Sequence, residues 1–105
     1  MVSSGTGLAM WYSTAYEAIE KRKCLEARYE TYTRILEVHR VGISPTGQRI
    51  LSGWQVRGPD NERVGWKLLN VDEPVSLTLT DIPSLAPRPD YRRGAKNFVG
   101  IVCQL

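Results

Sequence analysis

The chain is poor in the residues from which metal centres and disulfide frameworks are built. Its 105 residues include one histidine and two cysteines. Neither Cys24 nor Cys103 lies at a metal-ligand spacing from His39, so we expect no metal site and no cofactor. Distant cysteines in a chain without a secretory signal pattern are typical of reduced, buried thiols. We therefore predict a cytoplasmic protein.

Long hydrophobic runs and charge of a single sign are also missing. No apolar segment has the length of a transmembrane helix, so we expect no membrane partner. The net charge is +3, with an acidic excess in residues 60–81 and a basic excess on either side of them. A dedicated duplex-DNA-binding domain is usually more basic and more one-sided.

The motifs of the common enzyme classes are absent from the sequence. It contains no G-x-S-x-G, no P-loop and no dinucleotide-binding fingerprint. Both cysteines lie in apolar strand contexts, which do not favour a nucleophilic pair with His39. We predict that the protein is not an enzyme, and we assign no catalytic residue.

What the sequence does contain is one helical pattern followed by strand patterns. Residues 1–11 are predicted to be a flexible N-terminus, and residues 12–105 a single domain. A helix is predicted over about residues 14–23, because apolar side chains recur at helical spacing and Thr14 with Glu17 fits a capping box.

From Leu25 onward the apolar residues alternate with polar ones, which is the period of a half-buried strand. Turn residues and prolines divide the remainder. The predicted strands cover residues 25–30, 34–43, 48–57, 64–71, 75–80 and, after a proline-rich stretch over 82–94, 98–105. One helix and about five short antiparallel strands indicate a mainly β fold, a small and strongly bent barrel.

The order of these segments resembles WYL domains. The likeness is carried by LEARY at 25–29, RILEVHRVG at 34–42, GQRILSGWQ at 47–55 and WKLLNVD at 66–72. WYL domains are Sm-like β-barrels with an N-terminal helix, and they usually accompany a winged helix-turn-helix in bacterial transcription regulators tied to DNA damage and phage defence. The resemblance implies a free-standing ligand-sensing or regulatory module without a DNA-binding domain of its own.

The chain departs from the family pattern at several positions. The family's Trp-Tyr-Leu falls on Arg49-Ile50-Leu51, and two arginines common near the fourth strand are replaced by Asn70 and Glu73. We expect Lys67 to substitute for them in part, as a point charge without the bidentate fork of arginine.

Six residues are candidates for ligand binding. His39 matches the histidine of the family's second strand, although a hydrogen-bonded structural histidine is the alternative. Arg40 lies on the opposite face of a regular strand, so both line one pocket only if the strand twists or bulges. Trp54 has the chemistry to stack on a planar ligand, while Trp66 is expected in the core. The complete set is His39, Arg40, Trp54, Gln55, Lys67 and Arg34, of which Gln55 has strand capping and Arg34 a nearby glutamate as alternatives.

The expected partners are a small-molecule or nucleotide-derived ligand, a separate DNA-binding protein and further copies of the chain. Two other functions stay open. One is a single-stranded nucleic-acid-binding barrel, which would use the C-terminal residues Arg88, Tyr91, Arg92, Arg93 and Lys96. The other is an oligomeric assembly module built on exposed strand edges.

Overall fold

The computed structural model describes residues 12–60, 62–91 and 100–104. In these ranges a helix is followed by six strands: α1 Ser13–Lys21, β1 Lys23–Arg28, β2 Thr33–Ile43, β3 Arg49–Arg57, β4 Gly65–Asn70, β5 Ser76–Pro83 and β6 Gly100–Gln104. The mainly β fold with one short N-terminal helix is thereby confirmed. The predicted flexibility of residues 1–11 lies outside the described residues. No described helix is long and apolar enough to cross a membrane.

All six described strands form one antiparallel sheet. The strand order is β4-β3-β2-β1-β5, and β6 pairs with β2. β3 pairs along one edge of β2, whereas β1 and β6 share the other edge. β1 pairs with β2 as far as Leu36 and β6 pairs from Arg40 onward, so residues 37–39 lie between them. The sheet is not closed into a barrel, since β4 and β5 stay at its two ends, and this corrects the expected closure.

Helix α1 packs its small residues on the sheet. Ala15 and Ala18 are buried in the core together with side chains from four strands: Leu25, Ala27, Leu36, Val38, Val41, Leu51 and Leu69. The predicted capping box is wrong, because the helix starts one residue earlier, with Tyr12 as N-cap and no side-chain cap hydrogen bond. The helix ends at Lys21 because Arg22 takes a left-handed conformation with φ 55°.

A bulge interrupts β2 at its middle. The register against β3 shifts between Val38 and Arg40, so His39 has no directly opposed partner. The two strands approach closely just before the bulge, where Val38 pairs with Gly53. A Cβ atom on Gly53 would lie 2.7 Å from the carbonyl oxygen of Glu37, so only glycine fits there without a shift of the backbone.

Residues 84–91, which we call the strap, follow β5. β5 itself runs past its predicted end at Thr80 to Pro83, while the strap has no helix or strand, as the prolines predicted. The strap crosses β2 at residues 37–39. Along this edge of β2, those residues pair with neither β1 nor β6. Cys24 lies near the start of the strap and is a buried free thiol, as predicted. Burial raises the pKa of this thiol. The side chain of Cys103 lies outside the described residues.

Candidate functional site

The structure divides the predicted site residues between two places. His39, Arg40 and Trp54 meet the strap on one face of the sheet, and Arg34 with Gln55 lies near the loop before β4. Lys67 pairs with Gly53 across β3 and β4, next to the second group. The hydrogen bond from Gln55 lowers the pKa of Glu62 most, and the charge of Lys67 adds to that lowering. The single pocket expected from the sequence is therefore replaced by two separate clusters.

His39 is completely buried, and both of its ring nitrogens have partners. Nδ1 lies 2.9 Å from the carbonyl oxygen of Glu37, and Nε2 accepts the backbone N–H of Arg88 at 3.0 Å. An acceptor at Nε2 requires the proton on Nδ1, so the hydrogen bonds select one neutral tautomer. Burial lowers the pKa of His39, and the positive charges of Arg88 and Arg40 act in the same direction.

Glu37 lies two residues before His39 on β2, and its carboxylate binds the strap. Its Oε2 accepts the backbone N–H of Leu85 at 2.8 Å, and its Oε1 accepts Nε of Arg88 at 2.7 Å. The Glu37 side chain is only 2% exposed. A carboxylate this deeply buried destabilises the fold unless a positive charge is paired with it, and Arg88 supplies that charge. Arg88 also places its guanidinium over the ring of Trp54, with Cζ 4.9 Å from the ring centroid.

Four rings lie together beside this ion pair and form what we call the aromatic cluster: His39, Trp54, Trp66 and Tyr91. The His39 ring is 4.7 Å from Trp66 and 4.9 Å from Tyr91, and Trp54 meets Trp66 edge to face at 5.6 Å. The expectation that Trp66 packs in the core is wrong. Trp66 is half-buried on the face of the sheet that the strap crosses, and its Nε1 donates to Asp90 at 2.8 Å.

The bulge brings Arg40 to the same cluster as His39. Cζ of Arg40 lies 4.9 Å above the ring of Tyr91, which is also the ring in contact with His39. The Tyr91 hydroxyl has two acceptors within hydrogen-bond distance, the carbonyl oxygen of His39 at 3.3 Å and Oε1 of Gln104 at 3.1 Å. The twist or bulge that a shared location required is therefore present in β2.

The second cluster is an ion pair braced by an amide. Arg34 binds Oε1 of Glu62 at 2.6 Å and Oε1 of Gln55 at 2.9 Å, and Gln55 donates to the same Glu62 oxygen at 3.0 Å. The hydrogen bond from Gln55 and the charge of Arg34 lower the pKa of Glu62. The predicted alternative for Arg34, a nearby glutamate, is what the structure contains.

Two donors beside this ion pair are buried without a hydrogen-bond partner among the described residues, namely Nε of Arg34 and the Tyr29 hydroxyl. The guanidinium lies 5.3 Å from the ring centroids of both Tyr29 and Tyr32, which stack on each other. Burial raises the pKa of Tyr29.

Sequence reasoning missed Glu37 as a site residue. Its signal was available, because Glu37 and His39 are two residues apart on one strand and so share a face. Arg88 and Tyr91, which were predicted for nucleic-acid binding, lie against β2 in the structure. Arg92, Arg93 and Lys96, predicted with them, lie outside the described residues.

Cavities and metal ligands add little to these two clusters. A shallow indentation between α1 and the strap is lined by Ala18, Ile19, Arg22, Val38, Ser84 and Ala86. In residues 12–60, 62–91 and 100–104, no group of three or more His, Cys, Asp or Glu side chains is placed to hold a metal ion.

Comparisons with known proteins place the chain in no family. No protein-family model matches it, and no curated protein or solved structure is significantly similar to it. The resemblance to WYL domains therefore stays a prediction from the sequence.

Proposed function

We propose that the protein is a ligand-sensing regulatory module of the WYL type, acting in bacterial transcription or defence through a separate DNA-binding partner. Its ligand is a planar anionic small molecule such as a nucleotide, bound at the aromatic cluster. The observation that supports this most is that two arginines, Arg40 and Arg88, lie over rings on one face of the sheet, each at 4.9 Å.

The chemistry of the cluster suits such a ligand. The rings of Trp54, Trp66 and Tyr91 are half-buried, and aromatic side chains of this kind stack on planar ligand groups. Arg40 and Arg88 supply positive charge beside those rings, and guanidinium groups bind phosphate and carboxylate through paired N–H donors.

Tryptophan fluorescence during titration with mononucleotides tests this proposal. We expect saturable quenching by AMP or GMP, and a loss of affinity of about tenfold or more in Trp54→Leu, since stacking on an aromatic side chain contributes about 1–3 kcal/mol. Tyr16→Leu, which changes an exposed ring on α1, is the matched control and should bind as the unaltered chain does.

Native mass spectrometry of the protein purified from its own host complements the titration, because it reports a retained ligand and the oligomeric state together. Absence of both a retained ligand and mononucleotide quenching would refute the proposal. Binding of oligonucleotides alone, weakening steeply with salt, would favour the single-stranded nucleic-acid alternative.

A further inference from the structure

The strap rests on a floor that is much more buried than the strap itself. Glu37 is 1% exposed and His39 0%, although both carry polar groups. Every residue of the strap is half-buried or exposed, and Leu85 is 67% exposed. The strap covers a surface of the sheet formed by Glu37, His39 and Trp54, which we call the groove.

Two of the contacts between the groove and the strap are made by the peptide backbone of the strap. Oε2 of Glu37 accepts the N–H of Leu85, and Nε2 of His39 accepts the N–H of Arg88, at 2.8 and 3.0 Å. Any residue except proline supplies such N–H groups, so these acceptors fit a peptide of suitable shape whichever chain it belongs to.

Side chains of the strap are held as well. Asp90 accepts from Nε1 of Trp66 at 2.8 Å, and the Tyr91 hydroxyl donates to the carbonyl oxygen of His39 at 3.3 Å.

Arg88 is bound by a charged group and an aromatic ring together. The Arg88 guanidinium donates to Oε1 of Glu37 at 2.7 Å while lying over Trp54. A carboxylate on one side and an indole face on the other form a guanidinium site, in which lysine would lose the planar stacking.

We infer that this groove is a recognition site for an extended, arginine-bearing segment of a partner protein, and that the strap is its intramolecular occupant. The inference goes beyond the proposed ligand sensing but shares two residues with it, because Arg88 and Tyr91 of the strap also belong to the proposed ligand site. Glu37 and His39 are polar and become hydrated when the strap leaves, and the exposed Leu85 loses little apolar burial. An attached strap competes at an effective concentration in the millimolar range, so the unaltered chain binds a free peptide weakly.

Fluorescence anisotropy with a labelled strap peptide tests the inference. The probe is the nine-residue peptide PSLAPRPDY, which is the sequence of residues 83–91, and its control carries Ala in place of Arg. In the full chain, Arg88→Gln removes the guanidinium of the strap but leaves an amide donor near Glu37. We expect Arg88→Gln to bind the arginine peptide at least about tenfold more tightly than the unaltered chain does, and to bind the alanine peptide at least about tenfold more weakly than the arginine peptide.

Circular dichroism establishes that the Arg88→Gln chain is folded. A folded variant that binds neither peptide, or binds both equally, overturns the inference. Sedimentation of the variant mixed with the unaltered chain distinguishes the occupant, because a complex between the two would assign the groove to a second copy of this chain and overturn the assignment to a partner protein.

Hydrogen exchange of the unaltered chain keeps the test decisive if the variant does not fold. Millimolar arginine peptide should displace the strap and speed exchange at the amides of Leu85 and Arg88, and the alanine peptide should not. Equal exchange with both peptides would equally overturn the inference.

Discussion

At the residue scale, His39 lies in the aromatic cluster with both of its ring nitrogens hydrogen-bonded. It was predicted as a ligand-binding residue or as a hydrogen-bonded structural histidine. The structure gives it partners at both ring nitrogens and 0% exposure, and it also places its ring in the aromatic cluster. A ligand at that cluster would meet the rings and arginines around His39 before it met the imidazole itself.

The buried imidazole predicts how stability depends on pH. Burial holds the pKa of folded His39 below 6.5, so on acidification the unfolded chain takes up this proton first. The contribution of His39 to the free energy of unfolding should be constant above pH 6.5 and fall between pH 6.5 and the lowered pKa. Protonation of Nε2 would also place an N–H of the imidazole against the N–H of Arg88, so the hydrogen bond between them would be lost. Urea unfolding between pH 7.5 and 5 measures this slope.

His39→Gln is the control for that slope, since glutamine does not titrate. The variant should lose the pH dependence between 6.5 and 5 even though its stability is lower throughout. Glu62, whose pKa is lowered from 4.5, loses its contribution only at more acid pH, as it becomes protonated. Equal slopes for both chains between pH 6.5 and 5 would contradict the lowered pKa of His39.

At the scale of elements, the β2–β3 hairpin owes its site geometry to the bulge. A regular β2 would direct His39 and Arg40 to opposite faces, whereas the bulged strand brings both to Tyr91. The close approach of Gly53 to Glu37 stands beside the bulge, so the glycine and the irregular register belong to one feature.

Gly53→Ala should therefore destabilise the hairpin. Its Cβ would lie 2.7 Å from a backbone oxygen, and relief of such a contact costs about 1–3 kcal/mol. Gly100→Ala is the matched control, because its Cβ would meet only Ile43, at 4.0 Å. Chemical unfolding of both variants gives the comparison, and an unaffected Gly53→Ala chain would show that β2 and β3 separate at no cost.

At the scale of the whole molecule, the two ends of the sheet offer surfaces for self-association. β4 pairs only with β3 among the described strands, and it carries Leu68, which is 48% exposed, while Val64 just before it is 60% exposed. Edge strands with exposed apolar side chains favour pairing with another chain. We therefore expect self-association, if the chain is a homo-oligomer as predicted, to use β4.

Sedimentation velocity over a range of concentrations tests that expectation. The unaltered chain should associate as concentration rises, and Leu68→Lys should stay monomeric, because a charge on an edge strand opposes pairing. Val75→Lys is the control, since Val75 is also exposed, at 64%, but lies outside β4. A chain that is monomeric at all concentrations, or that both substitutions affect equally, would argue against β4 as the interface.

Most of the elements followed from local pattern, because each is encoded within a few consecutive residues. The alternation after Leu25 predicted the strands, and the prolines after Pro83 predicted the irregular strap. The errors also had local causes: the Thr14 capping box was a sequence match that the chain does not use, and Trp66 was assigned to the core from its apolarity.

By itself, the sequence determined the class of fold, since hydrophobic period and turn chemistry are properties of short segments. Only the tertiary structure decided which residues form the site. The contact between Arg88 and His39 joins positions 49 residues apart, and the partners of Glu37 depend on where the strap crosses β2. These contacts form at residues 37–39, where β2 pairs with neither β1 nor β6. No local pattern in the sequence encodes that gap in the strand pairing.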